Sequence, residues 1–161
     1  MVFQDLLQSI VTGPISKRAI SNPAVLNEAY NYSLPSSFSR GMRIDLNGLV
    51  ILLISGTASI DEHGKFIHIG DIRAQTVRTF QNISALLAVE GATWKAIVRT
   101  SCYLRDMDRD YAAFNEVRTT FFKQQELDPL PASTGIQAKL CRPELLVEIE
   151  AIVMFRHALK T

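Results

Sequence analysis

Residues 145–155 read LLVEIEAIVMF, and their regular alternation predicts a β-strand around which the fold is organised. Successive side chains of a strand point to opposite faces of its sheet. One face would carry the apolar side chains Val147, Ile149, Ala151, Val153 and Phe155. The other would carry Leu146, Glu148, Glu150, Ile152 and Met154. A face that combines carboxylates with apolar side chains is typical of a surface partly covered by another part of the protein.

Glu148 is the candidate for acid/base chemistry on this second face. Desolvation at the margin of an apolar surface raises the pKa of a carboxyl group, and so does a nearby like charge such as Glu150. Perturbed carboxyl groups of this kind are common at catalytic sites. The alternative is that Glu148 and Glu150 are solvated outward positions of a half-buried strand. Both interpretations are open on the strand pattern alone.

Composition limits the classes of partner. The 161 residues predict one domain, residues 1–161, in which residues 1–32 form an N-terminal extension. Basic and acidic side chains number 17 and 16, neither forms a block, and a nucleic acid partner is therefore not expected. The hydrophobic content of 47% is high for a soluble monomer and indicates an oligomer surface.

The sequence predicts a cytoplasmic protein without a membrane segment. No apolar run approaches the roughly 20 residues that a membrane helix needs. The first residues, MVFQDLLQSI, contain an acid and no basic cluster of the kind that opens a secretory signal.

Cys102 and Cys141 are far apart and are expected to be isolated, reduced thiols, with Cys141 a small buried side chain. No cofactor is expected, and no metal site, because the set Asp61, His63, His68 and Asp71 fits no established ligand spacing.

Local signals predict the other elements. Within residues 1–32 we expect a short packing helix near residues 6–11 and then irregular chain. Residues 41–46 alternate, Asn47-Gly48 is typical of a tight hairpin turn, and residues 49–58 form an apolar strand. Residues 61–70 predict a polar loop with a short strand near residues 66–69.

Two helices and three strands follow this loop. Asp71 is expected to cap a helix that reaches Glu90, before Gly91. Its inner stripe would contain Val77, Phe80, Ile83 and Leu87. Residues 96–104 predict a strand, residues 105–110 a charged turn, residues 111–125 a second helix, and residues 133–140 another strand.

This order predicts an α+β domain, a single mixed sheet with two long helices on one face. Two helices cover only one face of such a sheet. The other face, which includes the apolar residues of the last strand, is expected to meet another copy of the chain in a closed homo-oligomer.

Landmarks in a set order cover roughly residues 38–155. They are Ser55-Gly56, Asp61 with Gly64, Gln75, Asn82, Gly91, Leu104 with Asp106, Phe114-Asn115, Phe121-Phe122, Pro131-Ala132 and Glu148-Ile149-Glu150-Ala151. In these landmarks the chain resembles the RidA/YjgF family, also called endoribonuclease L-PSP or translation initiation inhibitor. The resemblance implies a chorismate-mutase-like fold and a homotrimer that binds a small-molecule metabolite in clefts between subunits.

In the deaminase branch of this family, a tyrosine, an asparagine, an arginine and a glutamate frame the cleft. The glutamate, which orients the hydrolytic water, falls on Glu148, and the asparagine falls on Asn115. The tyrosine position holds Phe38, and the arginine position, which clamps a substrate carboxylate, holds Ser133. Serine cannot reproduce the bidentate geometry of a guanidinium. The resemblance therefore leaves ordinary 2-imino acid deamination in question.

Several segments are also similar to the carboxy-terminal half of chorismatases, which hydrolyse chorismate on the same fold. They are SFSRG, SGTASI, HIGD, PASTGI and CRPELLVEIE. In chorismatases, too, a cysteine precedes the catalytic glutamate, and here Cys141 precedes Glu148. The chain has about half the length of a chorismatase, so this likeness implies kinship of the cleft.

The remaining candidate binding residues lie beside those positions. Thr134 and Gly135 follow Ser133 and could offer a hydroxyl and backbone N–H groups to an anionic oxygen, or simply begin a strand. Ser39 and Arg40 follow Phe38, and Arg40 is either a replacement cation for the cleft or an exposed strand charge. We therefore expect a hydrolase of an enamine, imine or enol ether. The alternatives are a binding or sensing module without catalysis, a chorismatase-like hydrolase, and, least favoured by the neutral charge, a ribonuclease.

Overall fold

The alternating stretch forms an inner strand of a six-stranded sheet in the computed structural model, which describes residues 15–157. The elements are β1 (Ser16–Ile20), β2 (Gly41–Leu46), β3 (Leu49–Thr57), α1 (Ile72–Val89), β4 (Ile97–Leu104), α2 (Met107–Gln124), β5 (Ala132–Gln137) and β6 (Val147–Arg156). Across the sheet the strand order is β1-β2-β3-β6-β4-β5. Neighbouring strands are antiparallel except β4 and β5, which are parallel. The predicted α+β architecture, one mixed sheet with two long helices, is confirmed.

The core lies between the helices and one face of the sheet. Val147, Ile149 and Val153 of β6 are fully buried on this face, as the alternation predicts. Phe80 of α1 joins the two helices, since its ring stacks on Phe121 of α2 at 4.7 Å and meets Trp94 edge-on at 5.3 Å. Aromatic pairs in these geometries stabilise a core beyond the area that they bury.

The predicted inner stripe of α1 is correct except at Val77, which is 44% exposed. On the side of the stripe away from Val77, the helix buries polar side chains. They can be buried because carbonyl groups of nearby loops accept their hydrogen bonds. Asn82 donates to the carbonyl of Ala58 at 2.9 Å, and Gln75 donates to the carbonyl of Glu144 at 2.8 Å. The helix is therefore rotated so that Val77 faces outward.

Turns and caps follow from local chemistry. Asn47 and Gly48 both adopt positive φ, 49° and 84°, as the predicted hairpin requires. The carboxylate of Asp71 caps α1 by accepting from the N–H of Ala74 at 3.0 Å. The predicted charged turn at residues 105–110 is wrong, because Asp106 caps α2 in the same way and the helix begins at Met107.

Two other local predictions differ from the structure. The irregular chain expected before residue 32 contains β1, which pairs with β2 from Ser16–Asp45 to Ile20–Gly41. The short strand expected near residues 66–69 is reduced to one bridge, between Ile60 and Phe66. The helix expected near residues 6–11 lies outside the described residues. No helix in the described part of the chain has the length and hydropathy that a membrane span requires.

The other sheet face, here called the open face, is not covered by α1 or α2. Its apolar part is formed by side chains from three strands that the register places side by side: Met42, Ile44, Ile51, Leu53, Ile152 and Met154. Leu53 is 42% exposed and Met154 is 39% exposed. The apolar, uncovered face predicted from the sequence is therefore present in the described chain.

Candidate functional site

Glu148 lies on the open face at the start of β6, where the apolar surface ends. Gln75 of α1 holds this end of the strand, because its side-chain oxygen accepts from the N–H of Leu146 at 2.8 Å. Across the sheet Glu148 pairs with Tyr103 of β4, and on the other side it meets Gly56 in the irregular end of β3. A Cβ atom at residue 56 would overlap Oε1 of Glu148, so only glycine leaves room for this carboxylate.

The electrostatic setting of Glu148 favours its protonated form. Desolvation by burial raises the pKa of Glu148, and the neighbouring Glu150 carboxylate raises it further. Glu150 accepts a hydrogen bond at 3.0 Å from the hydroxyl of Tyr103. Within residues 15–157, no hydrogen bond or ion pair ties down the carboxylate of Glu148, so its oxygens are available to a ligand or a water molecule.

Glu148 lines a cavity of about 110 Å³, which we call the carboxylate cavity. Its lining comprises Tyr32, Ser36, Phe38, Gly56, Ala58, Ile60, Phe66, Cys141, Arg142, Leu145 and Glu148. The structure therefore brings together three of the predicted site residues, Phe38, Cys141 and Glu148. Cys141 is exposed, so the expectation of a buried side chain is wrong. The strand predicted over residues 133–140 ends at Gln137, which leaves Cys141 in a loop.

Arg40 supports the wall of the carboxylate cavity from behind. It is 1% exposed, so the expectation of an exposed strand charge is wrong. Its guanidinium donates to the carbonyl of Asn27 at 2.9 Å and to the hydroxyl of Tyr32, and it lies 5.4 Å from the ring centroid of Phe38. Burial lowers the pKa of Arg40 to about 10. Because these contacts engage it inside the fold, Arg40 positions the aromatic wall and does not line the cavity.

The remaining predicted residue of this segment, Ser39, acts through its backbone. Its carbonyl accepts from the hydroxyl of Ser55 at 2.7 Å, and the carbonyl of Arg40 accepts from the N–H of Ser55 at 3.1 Å. These two hydrogen bonds join the residues that precede β2 to the end of β3. They therefore fix Phe38 over the carboxylate cavity.

A second group of predicted residues lies at the other edge of the sheet, around strand β5. Asn115, Arg118, Thr119, Phe122, Lys123, Leu127, Leu130, Pro131 and Ser133 line a cavity of about 290 Å³, here called the edge cavity. All six residues of β5 are exposed, including Thr134 and Gly135. Thr134 accepts a hydrogen bond from Arg99 at 2.9 Å.

The residue that sequence reasoning missed is Arg118. Its guanidinium donates to Ser133 Oγ at 3.3 Å and to Asn115 Oδ1 at 2.6 Å. It thus connects two predicted site residues that are separate in the sequence. One signal was available, because residues three apart on a helix share a face, and Arg118 follows Asn115 at that spacing.

The two cavities lie on different faces of the sheet in one chain. Ser133 pairs with Thr100, which pairs with the buried Ala151, so its side chain is on the helix side. Glu148 is on the open face. One chain therefore does not bring Glu148 together with Ser133 and Asn115. Among the described residues, no group of three or more His, Cys, Asp or Glu side chains could hold a metal ion.

Comparison with known proteins gives a consistent result. The family model described as endoribonuclease L-PSP matches residues 34–155. The 3-aminoacrylate deaminase RutC of Acinetobacter baylyi is 31% identical over 102 residues, which cover 63% of this chain and 77% of the relative. A RutC family protein of Pyrococcus abyssi is 33% identical over 101 residues, covering 63% of this chain and 76% of the relative.

Solved structures agree in fold. The Rid family protein YyfA of Yersinia pestis is similar with a TM-score of 0.70 and 26% identity, over 87% of this chain and 100% of that chain. The YjgF gene product of E. coli is similar with a TM-score of 0.68 and 24% identity, over 86% of this chain and 99% of that chain. The family model covers most of the chain, and the same fold recurs in these structures. The chain therefore belongs to the endoribonuclease L-PSP family, the RidA/YjgF family.

Proposed function

We propose that the protein is a homotrimer that binds a small carboxylated metabolite in clefts between subunits and hydrolyses an enamine or imine there. Glu148 is the acid/base group of this reaction. The observation that carries the proposal is the carboxylate of Glu148 in a cavity walled by Phe38 and Phe66, where burial raises its pKa. The cytoplasmic location expected from the sequence stays a prediction.

The chemistry requires a group that can both give and take a proton. An enamine first takes a proton at carbon from Glu148 and becomes an iminium ion. One water molecule then adds to the C=N bond and gives a proton back to Glu148, and the resulting carbinolamine releases ammonia and leaves a carbonyl group. When the pKa of a carboxyl group is raised, its protonated and ionised forms coexist at a pH closer to neutrality than for an ordinary carboxyl group. Glu148 is therefore suited to both steps.

The proposed trimer explains why each chain carries two separate partial sites. The carboxylate cavity, about 110 Å³, is smaller than the roughly 300 Å³ at which ligand pockets begin. The edge cavity offers cationic and polar groups but has no acid in its lining. Packing of the open face against neighbouring subunits would bury Leu53 and Met154, and would place the edge cavity of one subunit beside the carboxylate cavity of the next.

The curated relatives support this reaction class. The Acinetobacter baylyi relative is a deaminase that takes its name from 3-aminoacrylate, an enamine that carries a carboxylate. Hydrolysis of an enol ether, as in the chorismatase-like alternative, needs the same protonation at carbon. The net charge of +1 gives no support to ribonuclease activity, because nucleic acid binding depends on basic surface.

The test is turnover by Glu148→Gln. We expect ammonia release from enamines and imines generated in solution to fall about 10²- to 10⁴-fold, since glutamine cannot transfer a proton in the same way. Glu116→Gln is the matched control, because Glu116 is exposed and pairs with Arg73 outside both cavities, and it should leave turnover unchanged. Undiminished turnover by Glu148→Gln contradicts the assignment.

Two further measurements separate the alternatives. Light scattering should give the mass of three chains, and a monomer would remove the proposed cleft. A ligand that stabilises the wild-type protein without being turned over would identify the second candidate, a binding or sensing module. That candidate is favoured by Ser133, which stands at the carboxylate-clamping position of the deaminases.

A further inference from the structure

The guanidinium of Arg118 is held in place at the edge cavity before any ligand arrives. Its carbon lies 5.1 Å from the ring centroid of the buried Phe114. Its two terminal nitrogens donate to Asn115 and Ser133. A stacked and hydrogen-bonded guanidinium loses little conformational freedom when it binds an anion, which favours affinity.

This cation has no acidic partner in the described part of the chain. Other arginines do, since Arg43 pairs with Asp45, Arg73 with Glu116, and Arg109 with Asp110. No ion pair joins Arg118 or Lys123 to a carboxylate within residues 15–157, and no Asp or Glu lines the edge cavity. Two positive charges therefore line the edge cavity, about 290 Å³, without a carboxylate to neutralise them.

The hydrogen-bonding capacity at this point is incomplete. Arginine has five N–H groups, and Arg118 uses two of them on Asn115 and Ser133. The hydroxyl oxygen of Ser133 accepts from Arg118 and, at 3.1 Å, from Thr100. Its own proton has only the thiol sulfur of Cys102, a weak acceptor 4.0 Å away, as an alternative partner within the described chain. Three N–H groups and one O–H group thus remain for an anionic oxygen.

We propose that Arg118 is the group that binds the substrate carboxylate, and that Ser133 donates a second hydrogen bond to it. The rest of the cavity wall defines the substrate class. Phe122, Leu127 and Leu130 are apolar, so the ligand is a small carboxylate with an apolar body. The helix α2 thereby supplies the cation that the short side chain at position 133 does not. This inference deepens the proposed function and rests on it only for the reacting carbon, which must reach Glu148.

A free inorganic anion is the alternative ligand of the edge cavity. Charge alone would bind phosphate as well as a carboxylate, because arginine pairs with both. The apolar wall distinguishes them, since it contributes to binding only when the anion carries an apolar body. Preference for a carboxylate with an apolar body over phosphate is therefore part of the proposal.

The experiment measures binding in the Glu148→Gln background by titration calorimetry, so that no probe is turned over. The probes are 2-oxobutanoate, its methyl ester and inorganic phosphate. We expect 2-oxobutanoate to bind about tenfold or more tightly than the other two. Adding Arg118→Met should weaken 2-oxobutanoate binding roughly ten- to a hundredfold and leave the ester unaffected, because the lost hydrogen bonds are charge-assisted.

Two variants control for structural effects. Arg118→Lys keeps a charge without the planar fork, and should restore part of the affinity. Arg73→Met removes an exposed arginine outside the edge cavity and should leave binding within about twofold of the background. Thermal unfolding compares the folded state of each variant, and if Arg118→Met does not fold, the Arg118→Lys variant carries the test through its intermediate affinity.

The inference is overturned if 2-oxobutanoate does not bind, if phosphate binds equally well, or if the Arg118 variant that folds binds as tightly as the background. These outcomes differ from failure of the proposed function. Carboxylate binding that depends on Arg118, in a protein without turnover, supports the inference and contradicts the hydrolase. Turnover that depends on Glu148 but not on Arg118 contradicts the inference and supports the hydrolase.

Discussion

The carboxylate cavity and the edge cavity hold their polar groups in different ways. Glu148 is enclosed by its surroundings, with Gly56 against one side and an aromatic wall that Arg40 supports from behind. Arg118 is held by a ring, an amide and a hydroxyl on a helix beside an exposed edge strand. The first group is desolvated within its own chain, and the second remains partly open to solvent.

This difference indicates separate roles for the two cavities. A carboxyl group changes its proton affinity only when burial or charge acts on it, so the acid/base residue belongs in the packed cavity. An arginine is charged wherever it lies, and it needs only correct orientation to recognise an anion. We therefore expect changes around Glu148 to alter chemistry or stability, and changes around Arg118 to alter binding.

Among the variants that compare the two cavities, the largest expected effect comes from Gly56→Ala. The new methyl group would overlap Oε1 of Glu148, and the end of a glutamate side chain moves more easily than a strand. Turnover should fall about 100-fold, comparable with loss of an acid/base group, while the protein stays folded. Steady-state kinetics and thermal unfolding measure the two properties.

A double-mutant comparison identifies the cause of that loss. In a Glu148→Ala background the methyl group at position 56 has room, so it should reduce residual turnover by less than about threefold. An additional loss as large as in the wild-type protein would mean that Gly56 acts through the backbone and not through Glu148.

The second effect is on stability and contrasts the two arginines. Arg40→Ala leaves the buried carbonyl of Asn27 and the hydroxyl of Tyr32 without their donor, and should lower the free energy of unfolding by about 2–4 kcal/mol. Arg118→Met, at the more open site, should lower it by less than about 1 kcal/mol. Denaturant unfolding at one fixed protein concentration tests both, and equal losses would remove the distinction between the cavities.

The smallest effect is the pH dependence of stability. Because the pKa of Glu148 is raised, the folded protein keeps this proton to higher pH than the unfolded chain does. The stability that the neutral carboxyl contributes is complete below the ordinary pKa of glutamic acid, and is lost as the pH rises through the raised pKa. Glu148→Gln should therefore match the wild type at low pH and become relatively more stable towards neutral pH.

Thermal unfolding from pH 4 to pH 8 measures this difference, with Glu116→Gln as the exposed control. The Glu116 variant should show no such trend relative to the wild type. A constant difference between Glu148→Gln and the wild type would mean that burial does not perturb Glu148.

Local sequence rules predict much of the fold but not the complete site. Alternation in β6 predicts which side chains are buried and places Glu148 on the partly covered face. Position in the chain does not predict that Arg40 is buried, because its partners Asn27 and Tyr32 lie in a segment without periodicity. It also does not predict the contact between Gly56 and Glu148, which depends on the irregular register of β3 and β6.

By itself, the sequence determined the strand faces, the hairpin at Asn47-Gly48 and the cap at Asp71, since these depend on the spacing and chemistry of neighbouring residues. Only the tertiary structure decided that Arg118 meets Ser133 and that Glu148 lies in a separate cavity. Such contacts join residues from different elements, and the order and register of the strands determine which elements meet. The sequence pattern alone identified Glu148 as a candidate, whereas the residues around it and the position of Arg118 beside Ser133 depend on the folded structure.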